Sequence, residues 1–526
     1  MRTFQVEGNC NPAMHYMVDT HEKITTIVNT LIDRHKYFTI NRARQYGKTT
    51  TLSLLSKYLE DRYLVLRLSF EAADEYFTSL YHFSMGFIMD VTDELVRNHV
   101  EESVIDEWKR PVSKDFSLKE LGQKITALCT KSKRPVILLI DEVDKSSDNQ
   151  IFLAFLGLLR SKYLEQIDGR DVTFQSVILA GVYDIKNLKL RLRQDEEQKY
   201  NSPWNVAADF TVDMSFSVKE IATMLEAYEK DYATGMNITA MSQLLYDYTS
   251  GYPSLVSRLC KIMDERIAGI PGYADKVDVW TKEGFLEAMK ILLKEKNTLF
   301  DDMVKKLSDY PELKRVLYNI LFVGSRYSYE ADNSILNIGI MFGFLKDSQN
   351  TIVIANRIFE TKLYNLFISE EEVHSSIYNV AVMEKNQFIF DGMIQMDLVI
   401  RKFQEHFTEI YGDSDDKFIE ENGRRIFLMY IKPIINGVGN YYIEAQTRDM
   451  KRTDVIIDYR GRQFVIELKI WHGAEYNKRG EEQLSEYLEF YHLEQGYLVS
   501  FNINKKKKTG VQTIRCNEKT ILEAIV

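Results

Sequence analysis

Between about residue 19 and residue 215, short runs of nearly uninterrupted apolar residues alternate with amphipathic stretches. KYFTI, YLVLRLSF, PVILLID, FQSVILAGV and DFTVDM are the apolar runs, and each reads as a strand. A strand without polar alternation is buried on both faces, and apolar residues at i, i+3 and i+4 in the stretches between them read as helices. Strand, helix and strand in repeated order predict a parallel sheet wrapped by helices.

Downstream the period changes. SVKEIATMLEAYEKDY and SLVSRLCKIMDERIAGI, between about Ser217 and Lys296, carry helical spacing throughout and read as a helical lid. Two further helical patterns from about Pro311 precede ILNIGIMFGFLKD and NTIVIANRIFETKLYNLF, a helix followed by a short hairpin as in a winged helix. The last stretch runs helix FIEENGRRIFLMYIKPI, strands NYYIEAQT, TDVIIDY and QFVIELKIW, helix KRGEEQLSEYLEFY and strand GYLVSFN. The expected division is therefore 1–215 for the sheet domain, 216–300 for the lid, 301–372 for the winged-helix-like unit and 373–526 for a second α/β domain with its core at about 415–505. No repeat of fixed period is present.

A chain of 526 residues has room for three or four domains, so a single small binding module is excluded. With 45% hydrophobic and 27% charged residues it can bury real cores. The formal charge of −10 argues against coating nucleic acid over the whole surface, although residues 431–526 carry two more basic than acidic side chains. Cys10, Cys129, Cys260 and Cys516 lie too far apart for a zinc knuckle or a disulfide framework, and read as reduced thiols. The sequence offers neither a leader-like apolar region near MRTFQVEGNC nor a membrane-length apolar run, so a cytoplasmic, non-membrane protein is expected.

Asn41-Arg-Ala-Arg-Gln-Tyr-Gly-Lys-Thr-Thr50 lies between strand KYFTI and helix TTTLSLLSKYLE. A phosphate-binding loop needs inward N–H groups at a helix N-terminus, a lysine for the β and γ phosphates and a hydroxyl for Mg²⁺. Gly47, Lys48 and Thr49 supply these in order, with Arg44, Gln45, Tyr46 and Thr50 around them; Arg42 stands where the motif's first glycine would be. PVILLID ends in Asp141 and Glu142, one suited to the Mg²⁺ shell and the other to polarising the attacking water. Without the loop, the same pair would serve as a helix cap. Arg258 in GYPSLVSR has the reach to contact the γ-phosphate, though an isolated helical Arg is ordinarily solvated.

HYMVD, INRARQYGKTTTL, LLIDEVDKS, SPWNVAADF and GYPSLVSRLC together resemble bacterial AAA-like P-loop ATPases that carry a winged helix behind the lid, over about residues 1–370. The resemblance implies ATP binding by Lys48 and Thr49 and hydrolysis by Asp141 and Glu142. A basic residue at position 42 is common in that group. The resemblance further implies a switch, either between subunits of a homo-oligomer or within one chain.

The second chemical signal is Asp454 at the head of one strand and Glu467-Leu468-Lys469 on the next, across the turn at Gly461. Period-two geometry puts Glu467 and Lys469 on one face, and the hairpin brings Asp454 toward it. Two carboxylates and the Leu468 carbonyl suit Mg²⁺, while Lys469 is placed to orient water beside a phosphodiester. In an exposed strand such charges would be a solvated salt bridge, but VIID and FVIELKIW are strongly apolar and make unshared charges costly. Gln483 and Tyr487 follow at i, i+4 on one helix face.

This order of Asp, Glu-x-Lys and Gln-x-x-x-Tyr in an αβββαβ series resembles the PD-(D/E)xK nuclease superfamily, in its exonuclease-like branch, over about residues 415–505. The resemblance implies Asp454, Glu467 and Lys469 as the metal and catalytic set, Gln483 and Tyr487 as helix supports and, more loosely, Glu421 as an auxiliary acid. Thr453 replaces the family's proline. Lys505 to Lys508 are placed to touch backbone phosphates or simply to be solvated.

The sequence thus predicts an α/β multidomain protein: a P-loop parallel sheet with helical lid and winged helix, then a restriction-nuclease-like domain. Its expected function is ATP hydrolysis joined to Mg²⁺-dependent cleavage of nucleic acid, DNA before RNA. The alternative is an ATP-dependent switch or DNA-binding regulator whose nuclease fold is a noncatalytic binding module. Nothing in the sequence is a base-reading code.

Overall fold

The computed structural model describes residues 2–526 apart from 72, 147–148, 183–202, 324, 372–374, 413, 415, 437, 444–453, 472–473, 491–492 and 503–508. Strands β1 (Phe38–Asn41), β2 (Leu64–Ser69), β3 (Val136–Asp141) and β4 (Ser176–Gly181) form an all-parallel sheet in the order β1-β4-β3-β2. The chain is mixed α/β, and its uninterrupted apolar strands have a simple cause. Leu138 and Ile140 face one layer of helices while Ile137 and Leu139 face the other, so every position is a core position. The first layer is Leu80–Arg97, Leu118–Lys131 and Gln150–Ile167; the second is His21–Ile27 and Lys48–Leu59.

DFTVDM is a correction to the sequence reading. Among the described residues it forms no strand, and its contact with β1 is a bridge between Phe38 and Ala208, just before the run, together with stacking of the Phe210 ring on Phe38 at 5.8 Å. Arg42 explains the difference, since its guanidinium donates to the carbonyls of Val212 at 2.9 Å and Phe210 at 3.4 Å and covers the Phe210 ring. A side chain takes the bonds that a neighbouring strand would have made.

The lid runs through helices Val218–Tyr232, Ile238–Thr249, Pro253–Ile262 and Lys282–Lys294. It opens on a capping box in which Ser217 and Glu220 satisfy each other's backbone N–H. The N-terminal segment packs on this lid: Phe4 lies tilted against Tyr228, Tyr16 meets the same ring edge-on, and the Tyr16 hydroxyl donates to Asp231 at 2.8 Å. The expected boundary between residues 300 and 301 falls inside helix Thr298–Asp309. Beyond it, β5 (Tyr327–Ser328), helix Ser334–Met341, β6 (Leu345–Ser348) and β7 (Thr351–Ile354) build a small sheet in the order β5-β7-β6.

After a two-stranded ribbon, β8 (Ile389–Phe390) with β9 (Met393–Ile394), the C-terminal region forms a six-stranded mixed sheet. Its strands β10 (Gly439–Ile443), β11 (Asp454–Tyr459), β12 (Arg462–Trp471), β13 (Gln495–Asn502), β14 (Gly510–Cys516) and β15 (Lys519–Ile525) lie in the order β10-β11-β12-β13-β15-β14. Helix Ala474–Phe490 begins four residues before the segment named from sequence and lies on one face with Leu484 and Leu488. The opposite face joins a continuous apolar core that extends through the β5–β7 unit and the lid to Phe4.

Candidate functional sites

The phosphate loop follows β1. Gln45 at φ 56° and Gly47 at φ 81° bend it so that helix Lys48–Leu59 starts at Lys48. Lys48 is buried, and its ammonium donates to the carbonyls of Arg42 at 2.9 Å and Ala43 at 3.0 Å. Burial lowers its pKa, opposed by the carboxylates of Asp144, Glu142 and Asp141. Asp141 ends β3 and accepts from the N–H of Glu142 at 3.0 Å; Glu142 itself stands at φ 56°, an uncommon backbone for a non-glycine residue. Burial, and then the neighbouring Asp141, push the Glu142 carboxyl above its ordinary value.

These groups share a cavity of about 1090 Å³ with Thr49, Thr50, Arg44 and Tyr46. Several of its walls are not evident from sequence. Asp144 accepts from the Val182 N–H at 2.6 Å and so ties the end of β4 to the carboxylate pair. Val6 to Cys10 form another wall, with the Cys10 N–H reaching the Thr50 hydroxyl at 3.3 Å. Thr298, Asp302 and Lys306 enter from the helix that follows the lid. The DEVD run was the available signal for Asp144; nothing local marks the other walls.

Arg258 is placed differently from the sequence expectation. Its guanidinium grips Glu295 by two nitrogens, Nη2 at 2.8 Å and Nε at 3.0 Å. The lid contributes Pro253, Ser254 and Ser257 to the cavity instead. Gly251, two residues before Pro253, has to be glycine, since an added Cβ would lie 2.0 Å from the Phe216 carbonyl oxygen.

In the C-terminal sheet, Asp454 and Glu467 are register partners across the β11–β12 hairpin. On the parallel side Glu467 pairs with Leu498 and Lys469 with Ser500. Glu467 is completely buried, and neither of its carboxylate oxygens has a hydrogen-bond partner among the described residues. Its nearest ionic neighbour is the Lys469 ammonium at 3.7 Å, too far for a good hydrogen bond. Lys469 is buried in turn, and Gly480 of helix Ala474–Phe490 makes room for it: a Cβ there would stand 2.4 Å from the ammonium nitrogen. Gln483 and Tyr487 lie three and seven residues further along this helix, and Leu468 is buried between Glu467 and Lys469. The side chains of Asp454, Gln483 and Glu421, and all of Thr453 and Lys505 to Lys508, lie outside the described residues.

Among the described residues, no three His, Cys, Asp or Glu side chains are grouped to hold a metal. No described helix is long and apolar enough to cross a membrane.

No curated protein matches the chain. Among solved structures it is similar to a Walker-type ATPase of Pyrococcus abyssi, with 13% identity over 68% of this chain and 99% of that one and a TM-score of 0.44. It is also similar to the Aeropyrum pernix ORC1 protein in complex with DNA (12% identity, 67% of this chain, 94% of that one, TM-score 0.32). A third likeness is to the Aeropyrum pernix ORC2 protein in its ADPNP and ADP complexes (11% identity, 70% and 96%, TM-score 0.37). At such scores the likeness says nothing of activity or partners. A family model described as an AAA-like domain matches residues 6–268, which bears out the P-loop ATPase reading of the N-terminal region. That match spans half of the 526 residues, from the wall at Val6 through the phosphate loop to the lid, and the chain belongs to the AAA-like domain family.

Proposed function

We propose that the protein binds and hydrolyses ATP in the cavity over the phosphate loop and that its C-terminal sheet is a metal-dependent phosphodiesterase acting on DNA. The four-part division at residues 215, 300 and 372 belongs to the same reading, with the second boundary shifted so that all of helix Thr298–Asp309 falls in the third part and with β5–β7 as the winged-helix-like element.

The nucleotide half is supported by the meeting of Lys48 with Asp141, Glu142 and Asp144 around one cavity. Lys48 would exchange two loop carbonyls for phosphate oxygens. Thr49 and Asp141 would hold Mg²⁺ jointly with the nucleotide, in keeping with a cation that takes one or two protein oxygens and leaves the rest to phosphate and water. Glu142, with its raised pKa, suits a base that orients and deprotonates the attacking water.

The nuclease half rests on one observation, the buried Glu467 carboxylate, which has no hydrogen-bond donor among the described residues and only the Lys469 ammonium at 3.7 Å beside it. Such a group is strongly disfavoured unless a cation completes it. Asp454 opposite it in register, and the Leu468 carbonyl beside it, make an oxygen set that fits Mg²⁺ or Mn²⁺. The bound metal would supply charge neutralisation at the scissile phosphate and a more acidic water. Lys469, held against Gly480, would orient that water, and Gln483 and Tyr487 would support the site from the helix. A pure binding module has no use for a buried acid of this kind, and it would repel the DNA phosphates.

Cleavage of linear and circular DNA and of RNA with Mg²⁺ or Mn²⁺, alongside ATP turnover, tests both halves in one preparation. Metal-dependent loss of DNA that disappears in Lys469→Ala supports the proposal. Equal cleavage by wild type, Lys469→Ala and the Asp454→Ala, Lys469→Ala double variant would hand the domain to the binding-module reading.

A further inference from the structure

The phosphate loop touches more than its own domain. The Arg44 guanidinium reaches the Asp302 carboxylate at 3.4 Å, and the Gln45 amide donates to the Thr298 hydroxyl at 2.7 Å. Both partners lie on helix Thr298–Asp309, the first element beyond the lid. From the lid, the Tyr252 hydroxyl donates to the Arg44 carbonyl at 2.6 Å, and the Tyr252 ring meets Tyr46 edge-on at 4.7 Å. Behind helix Ser334–Met341, Gly343 comes so close to the loop that a Cβ there would lie 2.8 Å from the Ala43 Cβ. The Thr298–Ile354 unit is thus docked on the loop that would carry the nucleotide's phosphates.

Charge makes this docking sensitive to nucleotide. The Asp302 side chain is 19% exposed and lines the cavity, while the Arg44 side chain paired with it is 62% exposed. A triphosphate brings about four negative charges to the loop at neutral pH. It would be repelled by Asp302 and attracted by Arg44, and the two attractions on Arg44 exclude each other in part.

We infer that Asp302 belongs to the nucleotide site as a counter-ligand, competing with the phosphates for Arg44, so that nucleotide binding and docking of helix Thr298–Asp309 oppose each other. The inference rests on the nucleotide reading above and adds its regulation. Linkage makes the effect reciprocal: docking weakens nucleotide affinity by the same factor by which nucleotide weakens docking. Thr298 takes part through an uncharged contact only, which gives the two arms of a test different salt dependence.

The test uses the full chain and ATP itself, titrated calorimetrically into wild type, Asp302→Asn, Thr298→Val and Lys48→Ala at low and high salt. Asp302→Asn keeps the side chain's shape and removes its charge, and is expected to bind ATP roughly fivefold more tightly at low salt, with the gain shrinking as salt screens it. Thr298→Val is expected to tighten binding less, with little salt dependence. Amide hydrogen exchange in residues 298–309 should quicken when ATP binds to wild type. Equal affinity in wild type and Asp302→Asn, or exchange unchanged by bound ATP, overturns the inference and leaves the nucleotide reading standing. Absence of binding in wild type and all three variants overturns both.

Discussion

The two candidate sites treat their charges in opposite ways. In the N-terminal site two of the charged groups are held by the protein itself, Lys48 by two loop carbonyls and Asp144 by the Val182 N–H. In the C-terminal site Glu467 is buried with no donor among the described residues, and Lys469 stands 3.7 Å away. A site closed on its own backbone can wait for its ligand and must break bonds to take it. A site whose buried carboxylate has a distant ammonium and no hydrogen-bond donor gains stability from the cation it binds, and the difference predicts which ligand each region answers to.

The largest expected effect lies in the second region. Glu467→Gln should lower cleavage by about a thousandfold or more, because the amide keeps the shape and loses the charge that holds the metal. ATP turnover in the same preparation should remain. Saturating Mn²⁺ should raise the thermal midpoint of wild type by a few degrees, about 1 °C for each kcal/mol of linkage in a chain of this length, and leave Glu467→Gln unmoved. A wild-type midpoint indifferent to Mn²⁺ would break the comparison at its root.

Next comes the closed site. Lys48→Ala should weaken ATP binding by about a hundredfold, the worth of a charge-assisted contact to phosphate, as read by calorimetry. Glu142→Gln should bind ATP normally and turn it over about a hundredfold more slowly in a phosphate-release assay. DNA cleavage without nucleotide should survive in both. Normal turnover in Glu142→Gln would move the base elsewhere.

Gly480→Ala sharpens the contrast by moving a charge and deleting none. The added methyl overlaps the end of the Lys469 side chain, which is flexible and should give way, so the fold should hold while cleavage falls roughly tenfold to a hundredfold. Circular dichroism with the cleavage assay decides it, and undiminished cleavage would mean that the position of Lys469 does not matter. The smallest effect belongs to Arg258→Ala. Its partner is Glu295, so the change should cost about 1 kcal/mol of stability and leave ATP affinity within about twofold. A loss of ATP affinity as large as that of Lys48→Ala would show that Arg258 leaves Glu295 for the nucleotide.

What was legible in the sequence follows from the range of the interactions. The parallel sheet was readable because each of its strands is buried on both faces and carries that in its own residues. The facing of Asp454 and Glu467 was readable because a hairpin and a period of two fix it locally. Arg258 with Glu295, and Arg42 with the carbonyls of residues 210 and 212, join segments that share no periodicity. The first misdirected the reading of an arginine, and the second made a strand-like run into an edge segment. The packing of Phe4 and Tyr16 on the lid was equally hidden, since two aromatics in so short a stretch establish no pattern.

The apolar core that runs unbroken from Phe4 through the lid and the β5–β7 unit to the back of the C-terminal sheet bears on how the molecule can be taken apart. Cross-bolts reinforce it: Arg425 donates to the Tyr318 hydroxyl at 2.8 Å, Arg424 to the Leu321 carbonyl at 3.2 Å, and the Tyr441 hydroxyl to Asn365 at 3.0 Å. Cutting the chain near residue 372 would strip cover from a buried sheet face, leaving an adhesive surface prone to aggregate. Truncated pieces would report on that surface. Point substitutions in the intact chain are the cleaner dissection.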